Sequence, residues 1–319
     1  MSVSGADVHV GQDGWMFLVG GANDVIRYYT EPNYFDNERQ RLWLALLQER
    51  NRRAAALGAR YCHVIAPEKI SVYPEHFGGR LPFFEAAPSF SLPALEATSR
   101  GARTLVDVIG ALAGAKAHRS PLYFRTDTHW TPEAVDAVAA ATCAQLGTPY
   151  GDNFAMRPRG EASLVLDLGG KFVPPVSETW HIRRPSGRLV RTSANRLVTF
   201  KETHQLEHEG GLHVGSAVSF LNNSPVVDAR LVVFGDSFSE YRDHLLFGAL
   251  AENFRESHFV WSSQLDWAYI AALKPDFVIS ELAERFMNIV PSTDIVLESF
   301  VEERLNAFKA SNARSFETK

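Results

Sequence analysis

Short apolar runs that alternate with longer helical segments are the feature that most constrains the fold of this chain. Residues 60–66 (R-Y-C-H-V-I-A) are typical, since an apolar run there is closed by Pro67. Strand-like runs occur at 60–66, 104–109, 122–125, 229–234, 258–261 and 276–280, and helical patterns at 36–57, 131–146, 239–250, 265–273 and 294–310. Strands that alternate with helices predict an α/β fold with a parallel sheet flanked by helices.

The segment 164–218 breaks this alternation. Val, Thr, Arg and Gly dominate it, in several short alternating stretches, which indicates an antiparallel insertion. We therefore expect residues 1–319 to form a single catalytic domain with a β-rich insertion around 160–220.

Charge and composition limit the classes of partner. The 319 residues are 45% hydrophobic, and 32 Lys plus Arg stand against 37 Asp plus Glu, a net charge of -5. The chain is therefore not predicted to be disordered, and binding to nucleic acid has little electrostatic support. Acidic polysaccharides stay open, because Arg183, Arg184, Arg188 and Arg191 could build a local basic cleft; the alternative is a solvated basic hairpin.

The sequence shows no export signal, membrane span or cofactor motif. Residues 1–14 lack a cationic segment followed by an apolar one, and no run of about 18 apolar residues occurs. As it stands the chain is expected to be cytoplasmic, or periplasmic if it is a trimmed product. Cys62 and Cys143 are predicted to be buried and reduced. No cofactor is predicted, and the Asp residues, Asp167 among them, have no spacing that suggests a metal site.

A strand-like run that leads into Gly235-Asp236-Ser237 points to nucleophilic chemistry. The apolar run ends at Phe234, and a helical pattern begins at Ser239. A sharp turn at this position would hold the Ser237 hydroxyl above the carboxyl edge of the sheet, where N–H groups of the next helix could stabilise an oxyanion. Ser239 is predicted to cap that helix.

The base that such a serine needs is predicted in Asp127-Thr128-His129-Trp130. In extended backbone, positions i and i+2 point to the same side, so that Asp127 and His129 can face one cleft. A carboxylate beside the imidazole could take the Nδ1 proton and leave Nε2 free to deprotonate Ser237. The alternative is that Asp127 caps a turn and His129 is structural.

Several neighbouring side chains are candidates for substrate binding. Trp130 is interpreted mainly as a wedge in the site wall, and the i,i+4 spacing of Glu281 and Arg285 suggests a helical ion pair. The candidate substrate-binding residues are Lys69, Tyr73, Tyr123, Arg125, Trp130 and Arg242.

Together these segments resemble a known family. The D-x-H-W and G-D-S-F-S motifs, the early G-x-D-G-W-M-F-L run (residues 11–18) and the P-E-K segment at 67–69 are similar to the SGNH-hydrolase-like domain of bacterial alginate O-acetyltransferases. The resemblance extends over about residues 11–287. It implies a circularly permuted SGNH-hydrolase-like (flavodoxin-like) fold and transfer of acetyl to exopolysaccharide through an acetyl-serine, with Ser237, His129 and Asp127 as the triad.

The resemblance also implies a setting and partners. Family members act in the periplasm, on a carbohydrate acceptor and an acyl donor, and a membrane-bound O-acyltransferase is a possible partner. Two other functions stay open at this point. The same triad could serve a carbohydrate acetylesterase in which water is the acceptor, or the chain could be a non-catalytic glycan-binding subunit of an export assembly.

Overall fold

The computed structural model describes residues 2–3, 7–21, 23–118, 120–291 and 294–312. The strands are β1 (Ser2–Val3), β2 (Val8–Val10), β3 (Met16–Leu18), β4 (Arg60–Ala66), β5 (Arg159–Val165), β6 (Phe172–Val173), β7 (Ser177–Arg183), β8 (Leu189–Ala194), β9 (Ala217–Asn222), β10 (Val227–Gly235), β11 (Phe254–Trp261) and β12 (Phe277–Ala283). The helices are α1 (Arg27–Thr30), α2 (Asn37–Ala56), α3 (Lys69–Val72), α4 (Pro74–Phe77), α5 (Pro88–Thr98), α6 (Val108–Lys116), α7 (Pro132–Gln145), α8 (Arg196–His204), α9 (Leu246–Ala251), α10 (Trp267–Leu273) and α11 (Leu297–Ser311).

A six-stranded sheet in the order β4-β12-β10-β11-β9-β8 is the centre of the fold. Strands β4, β12, β10 and β11 are parallel to one another, whereas β9 pairs antiparallel with β11 and with β8. The parallel strands are almost continuously buried, as expected for strands covered on both faces. The predicted α/β fold with a mainly parallel sheet is confirmed.

The long helix α2 shows why the sequence folds as it does beside this sheet. The Asp36 side chain accepts a hydrogen bond from the Arg39 N–H, which satisfies one free donor of the first turn. Trp43, Leu47 and Ala54 are buried on its inner face. Gly58 follows the helix with a φ of 80°, a conformation that glycine adopts without strain.

Two predicted strands are not strands. Residues 104–109 make only an isolated bridge to β4, because the Asp107 side chain accepts the Gly110 N–H and starts α6 at Val108. Residues 122–125 make only the bridge between Tyr123 and Trp130, and the chain bends after it.

The region predicted as a β-rich insertion divides in two. Strands β5 and β7 form a separate antiparallel hairpin, whereas β8 and β9 extend the central sheet at its antiparallel edge. Cys62 and Cys143 are both buried and free. Within the described residues, no helix has the length and apolar character needed to cross a bilayer.

Candidate active site

Ser237 lies at the carboxyl end of β10, within the parallel part of the sheet. Strand β10 has β11, which follows it in the chain, on one side and β12 on the other. Ligand sites of open α/β sheets usually lie outside the carboxyl ends of the strands. Ser237 is the second residue after β10 and is partly exposed there.

The turn before Ser237 requires glycine at position 235. A Cβ atom on Gly235 would lie 2.8 Å from Glu281 Oε2 and 2.8 Å from the Ser239 Cβ, both closer than packed atoms allow. The absence of a side chain lets the chain turn tightly over β12.

Asp236 and Glu281 hold this turn from beneath. The Asp236 N–H donates to Glu281 Oε2 at 2.9 Å, and the Asp236 carboxylate accepts the N–H of Phe238 at 3.0 Å and that of Ala283 at 2.8 Å. Burial and the nearby charge of Asp236 raise the pKa of Glu281 well above its ordinary value. Both effects favour the uncharged form of Glu281. The predicted helical pair of Glu281 with Arg285 is wrong, because Glu281 belongs to β12 and the Arg285 guanidinium donates to Glu68 at 2.6 Å.

Asp127, His129 and Ser237 form one hydrogen-bonded chain. His129 Nε2 is 2.9 Å from Ser237 Oγ, and His129 Nδ1 is 2.7 Å from Asp127 Oδ1. With the Nδ1 proton on the carboxylate side, Nε2 can accept the Ser237 hydroxyl proton. The structure thus brings together the three side chains predicted as a triad.

A bend places Asp127 beside His129, so the predicted extended backbone is wrong at this point. Asp127 Oδ1 accepts the main-chain N–H of His129 at 2.8 Å as well as Nδ1–H. This is the local side-chain-to-backbone turn that Asp forms readily. One carboxylate oxygen therefore fixes both the backbone and the ring of His129.

Asp127 and His129 shift the pKa of one another. Burial lowers the pKa of His129, but the hydrogen bond to Asp127 and its negative charge outweigh it, so that the pKa lies above the usual value. Burial likewise raises the pKa of Asp127, and the hydrogen bond and charge of His129 bring it well below the usual range. The pair therefore stabilises an imidazolium, the state that His129 reaches when it takes a proton.

Carboxylates outside the central sheet brace the loop around His129. Asp167 accepts the Thr128 N–H at 2.9 Å and the Thr128 hydroxyl at 2.6 Å. Glu178 on β7 accepts the N–H groups of Arg125 and Thr126 at 3.0 and 2.8 Å. The hairpin region thus holds the loop that carries the base.

Asp127, His129 and Asp167 each offer one ligand atom within 4.8 Å of the others, close enough for a metal ion. Sequence spacing had suggested no metal site at Asp167, which lies 40 residues from Asp127 in the chain. Both ring nitrogens of His129 already hold hydrogen bonds. An ion there would replace one of them, so metal binding and the hydrogen-bonded chain exclude one another.

A cleft of about 560 Å³ opens over Ser237 and His129, within the usual size of small-molecule sites. Trp180 on β7 and Trp261 at the end of β11 are half-buried in its wall. Each packs against a histidine, and the remaining lining residues include His208, His213, Leu245, His244, Glu240 and Arg242.

Two of the candidate substrate-binding residues line this cleft. Trp130 is almost fully buried and packs edge-on against Phe238, so it acts as the predicted wedge. Arg242 lies at the cleft with its guanidinium 3.1 Å from the Glu240 carboxylate.

The other four lie outside the cleft lining. Lys69 is buried and donates to two main-chain carbonyls, and burial lowers the pKa of its ammonium to about 7 despite nearby carboxylates. The Tyr73 hydroxyl accepts the Leu122 N–H, and the Tyr123 hydroxyl donates to the Pro67 carbonyl. Arg125 is exposed but contributes its main chain to the loop. Their positions support the D-x-H-W loop from behind and do not fit the predicted substrate contacts.

The helix after Ser237 begins later than predicted. The predictions that Ser239 caps this helix and that its first N–H groups lie beside Ser237 are therefore wrong. Helix α9 starts at Leu246, and Ser239 lies buried in a turn. Its hydroxyl therefore caps no helix, and the start of α9 is nine residues from Ser237.

The comparisons with known proteins agree with this fold and site. Residues 8–257 match the family described as the SGNH hydrolase-like domain of the acetyltransferase AlgX. This chain belongs to that family. The predicted resemblance is confirmed.

Relatives and solved structures carry related names. The chain is 29% identical over 140 residues to the probable alginate O-acetylase AlgJ of Pseudomonas fluorescens, and 27% identical over 166 residues to that of Pseudomonas aeruginosa. These alignments cover 41% and 50% of this chain but only 31% and 40% of the relatives, so the chain spans less than half the length of either.

Structural similarity extends over nearly the whole chain. The O-acetyltransferase domain of Pseudomonas putida AlgJ superposes with a TM-score of 0.57 at 17% identity, covering 94% of this chain and 99% of that one. Bacillus cereus PatB1 with a sulfonyl adduct gives a TM-score of 0.62 at 13% identity, covering 89% and 96%. At such identities the likeness shows the shared fold.

Proposed function

We propose that this protein is an O-acetyltransferase that moves an acetyl group onto a carbohydrate hydroxyl by way of an acetyl-Ser237 intermediate. The observation that carries the proposal is the unbroken hydrogen-bonded chain from Asp127 through His129 to Ser237 at the mouth of a cleft. A nucleophile, a base and a group that orients the base are the parts that acyl transfer through serine requires. Membership of the acetyltransferase family supports the same reaction.

The first half-reaction acylates the enzyme. Ser237 Oγ attacks the acyl carbonyl while His129 Nε2 takes the hydroxyl proton, and Asp127 stabilises the imidazolium. The main-chain N–H of Ser237 has no acceptor within the described residues, which makes it a candidate donor to the tetrahedral oxyanion. Collapse of this intermediate passes the proton from His129 to the leaving group and leaves acetyl on Ser237.

The second half-reaction transfers the acetyl group. A sugar hydroxyl in the cleft gives its proton to His129 and attacks the acetyl-serine, and the released Ser237 oxygen recovers that proton. If water entered in place of the sugar, the same steps would hydrolyse the ester. The aromatic cleft wall of Trp180 and Trp261 favours an organic acceptor, because indole rings pack well against the C–H faces of sugars.

The proposal extends to the acyl donor and the setting. Because relatives carry the name alginate O-acetylase, we take the acceptor to be an exported glycan, and the reaction would then occur in the periplasm. A membrane-bound O-acyltransferase would then deliver the acetyl group to Ser237. Co-purification with such a partner, followed by labelling of Ser237 from its donor, tests this part.

Acetyl transfer from p-nitrophenyl acetate to a panel of oligosaccharides tests the reaction itself. The wild-type protein should release a burst of nitrophenol and yield acetylated sugar, and a fluorophosphonate probe should label it. Ser237→Ala should lose all three, whereas Ser239→Ala, which removes a neighbouring buried hydroxyl, should keep them.

The same assay separates the alternatives. Nitrophenol release with acetate as the only product across all acceptors would favour an esterase. Binding of glycan without a burst or probe labelling would favour a non-catalytic subunit. Full activity of Ser237→Ala would refute the proposal.

A further inference from the structure

The charged side chains that line the cleft are mostly acidic. Asp127, Asp167 and Glu240 line it with carboxylates, and Arg242 is the one guanidinium in the described lining. The Asp127 carboxylate is hydrogen-bonded to His129, so Asp167 and Glu240 are the carboxylates that bear on a ligand. The Arg242 guanidinium is already paired with Glu240 at 3.1 Å. Asp167 is exposed at the cleft, where a bound ligand would meet its carboxyl group.

Two histidines of the wall, His213 and His244, do not reverse this balance. Burial, together with nearby cations, lowers the pKa of His213 and lowers that of His244 to about 4. Both rings are therefore neutral at neutral pH. A neutral imidazole can donate to or accept from a sugar hydroxyl, but it offers no charge to a carboxylate.

The arginines that could have formed a basic cleft are engaged elsewhere. Arg183 lies 3.5 Å from Glu133, Arg188 lies 3.9 Å from Glu252, and Arg191 is paired with Glu202. Arg184 is exposed and outside the cleft lining.

A further cation near Glu240 is out of a ligand's reach. Lys201 is buried, with its ammonium 5.9 Å from the centre of the Tyr241 ring, and it is not part of the cleft lining. Among the described lining residues, no unpaired Lys or Arg is therefore available to bind the carboxylates of an acidic glycan.

We infer that the acceptor is an uncharged glycan and that chains of uronic acids are disfavoured at this site. The inference rests on the proposed acetyl transfer and names its acceptor class. Neutral sugars need hydroxyl partners and a flat apolar surface, which the histidines, Trp180 and Trp261 provide. A uronate would instead place a carboxylate near Asp167 and Glu240, and like charges at short range repel. This protein would then differ in acceptor from the relatives named for alginate, a polymer of uronic acids.

A matched pair of acceptors tests this inference. β-1,4-Mannotetraose and β-1,4-tetramannuronate share linkage and stereochemistry and differ only in the C6 group, which is CH₂OH in one and carboxylate in the other. With acetyl-Ser237 prepared from p-nitrophenyl acetate, kcat/KM for the neutral tetramer should exceed that for the uronate by about tenfold or more at low salt. Added salt should reduce this difference in kcat/KM, because it screens the repulsion between exposed charges.

One added cation should shift this preference. Val165 lines the cleft and is 50% exposed, whereas Val190 on β8 is 48% exposed and lies outside the lining. Val165→Lys should improve use of the uronate relative to mannotetraose by several-fold, and Val190→Lys should leave the ratio unchanged.

Binding to the unreactive Ser237→Ala protein gives a second readout that does not depend on chemistry. Mannotetraose should bind more tightly than tetramannuronate. Equal or better binding and turnover of the uronate would overturn the inference and leave acetyl transfer standing. Failure of both tetramers to bind or to accept acetyl would also overturn the inference. Absence of acetyl on Ser237 in the wild-type protein would instead remove the proposed function.

Discussion

Replacement of Asp127 by Asn tests how the base is tuned. The Asp127 carboxylate accepts two hydrogen bonds from His129, at 2.8 Å from the main-chain N–H and at 2.7 Å from Nδ1. Both bonds go to Oδ1, so the Asn carbonyl oxygen can accept them, but the substitution removes the negative charge that strengthens them and stabilises the imidazolium. A charge-assisted hydrogen bond contributes about 1.5–3 kcal/mol, and loss of the ion pair adds to it. A loss of about 4 kcal/mol corresponds to a rate of Ser237 acetylation about 10³-fold lower.

The pH dependence of acetylation separates this effect from unfolding. His129 acts as a base only when neutral, so acetylation of wild-type Ser237 should rise with pH through the raised pKa of His129. Without the Asp127 charge, the largest influence that raises the pKa of the ring is lost, and burial lowers that pKa. The inflection of the Asn variant should therefore lie at lower pH, as measured by the nitrophenol burst from p-nitrophenyl acetate.

Asp167→Asn is the matched control. Its carboxylate bonds to Thr128 and not to His129, and the amide oxygen can keep one of those bonds, so acetylation should fall by less than about tenfold. An Asp127→Asn protein that reacts within about tenfold of the wild type, with an unchanged inflection, would refute the assigned role of Asp127.

Three further predictions concern the cleft wall and the turn. Trp180→Ala should raise KM for a neutral oligosaccharide by about tenfold without slowing acetylation of Ser237, because the indole lines the cleft but takes no part in the hydrogen-bonded chain of Asp127, His129 and Ser237; equal loss in both steps would contradict it. Glu281→Gln should remove a decrease in unfolding free energy that begins as the pH rises above the ordinary pKa of glutamate. The wild-type folded state keeps a proton on Glu281 that the unfolded chain loses at its ordinary pKa, so its stability falls as pH rises toward the raised value; urea unfolding at several pH values measures the slope. Gly235→Ala should destabilise the fold by about 2 kcal/mol or more, since its Cβ would meet Glu281 and Ser239 at 2.8 Å; an unchanged melting temperature would contradict this.

Local motifs made the reacting groups predictable from the sequence. Gly235-Asp236-Ser237 follows a strand whose apolar pattern is clear, so the position of the serine at the sheet edge follows from β10 alone. The sequence predicts that Asp127 and His129 lie together, but it does so from an extended backbone that the structure does not have at this point. Their proximity comes from a side-chain turn and not from the alternation of a strand.

Long-range packing made other residues unpredictable. Glu281 lies under Gly235 because β12 pairs with β10 in a register that sets Ser280 beside Phe234, and nothing in the local sequence gives that register. Asp167 reaches Thr128 from 39 positions away. Trp180 had one weak signal, an aromatic residue within the otherwise polar run S-E-T-W-H at the start of β7. Lys69, Tyr73 and Tyr123 were predicted to line the cleft because they are polar. In the structure they are buried outside it, where each is hydrogen-bonded to a main-chain group.

The mass of the protein shortly after mixing with an acetyl donor tests the central claim most directly. The account predicts a gain of one acetyl group, mapped by proteolysis to the peptide that contains Ser237, and its loss when a neutral oligosaccharide is added and becomes acetylated. Acetylated sugar formed at the full rate by a protein that never carries acetyl on Ser237 would contradict it.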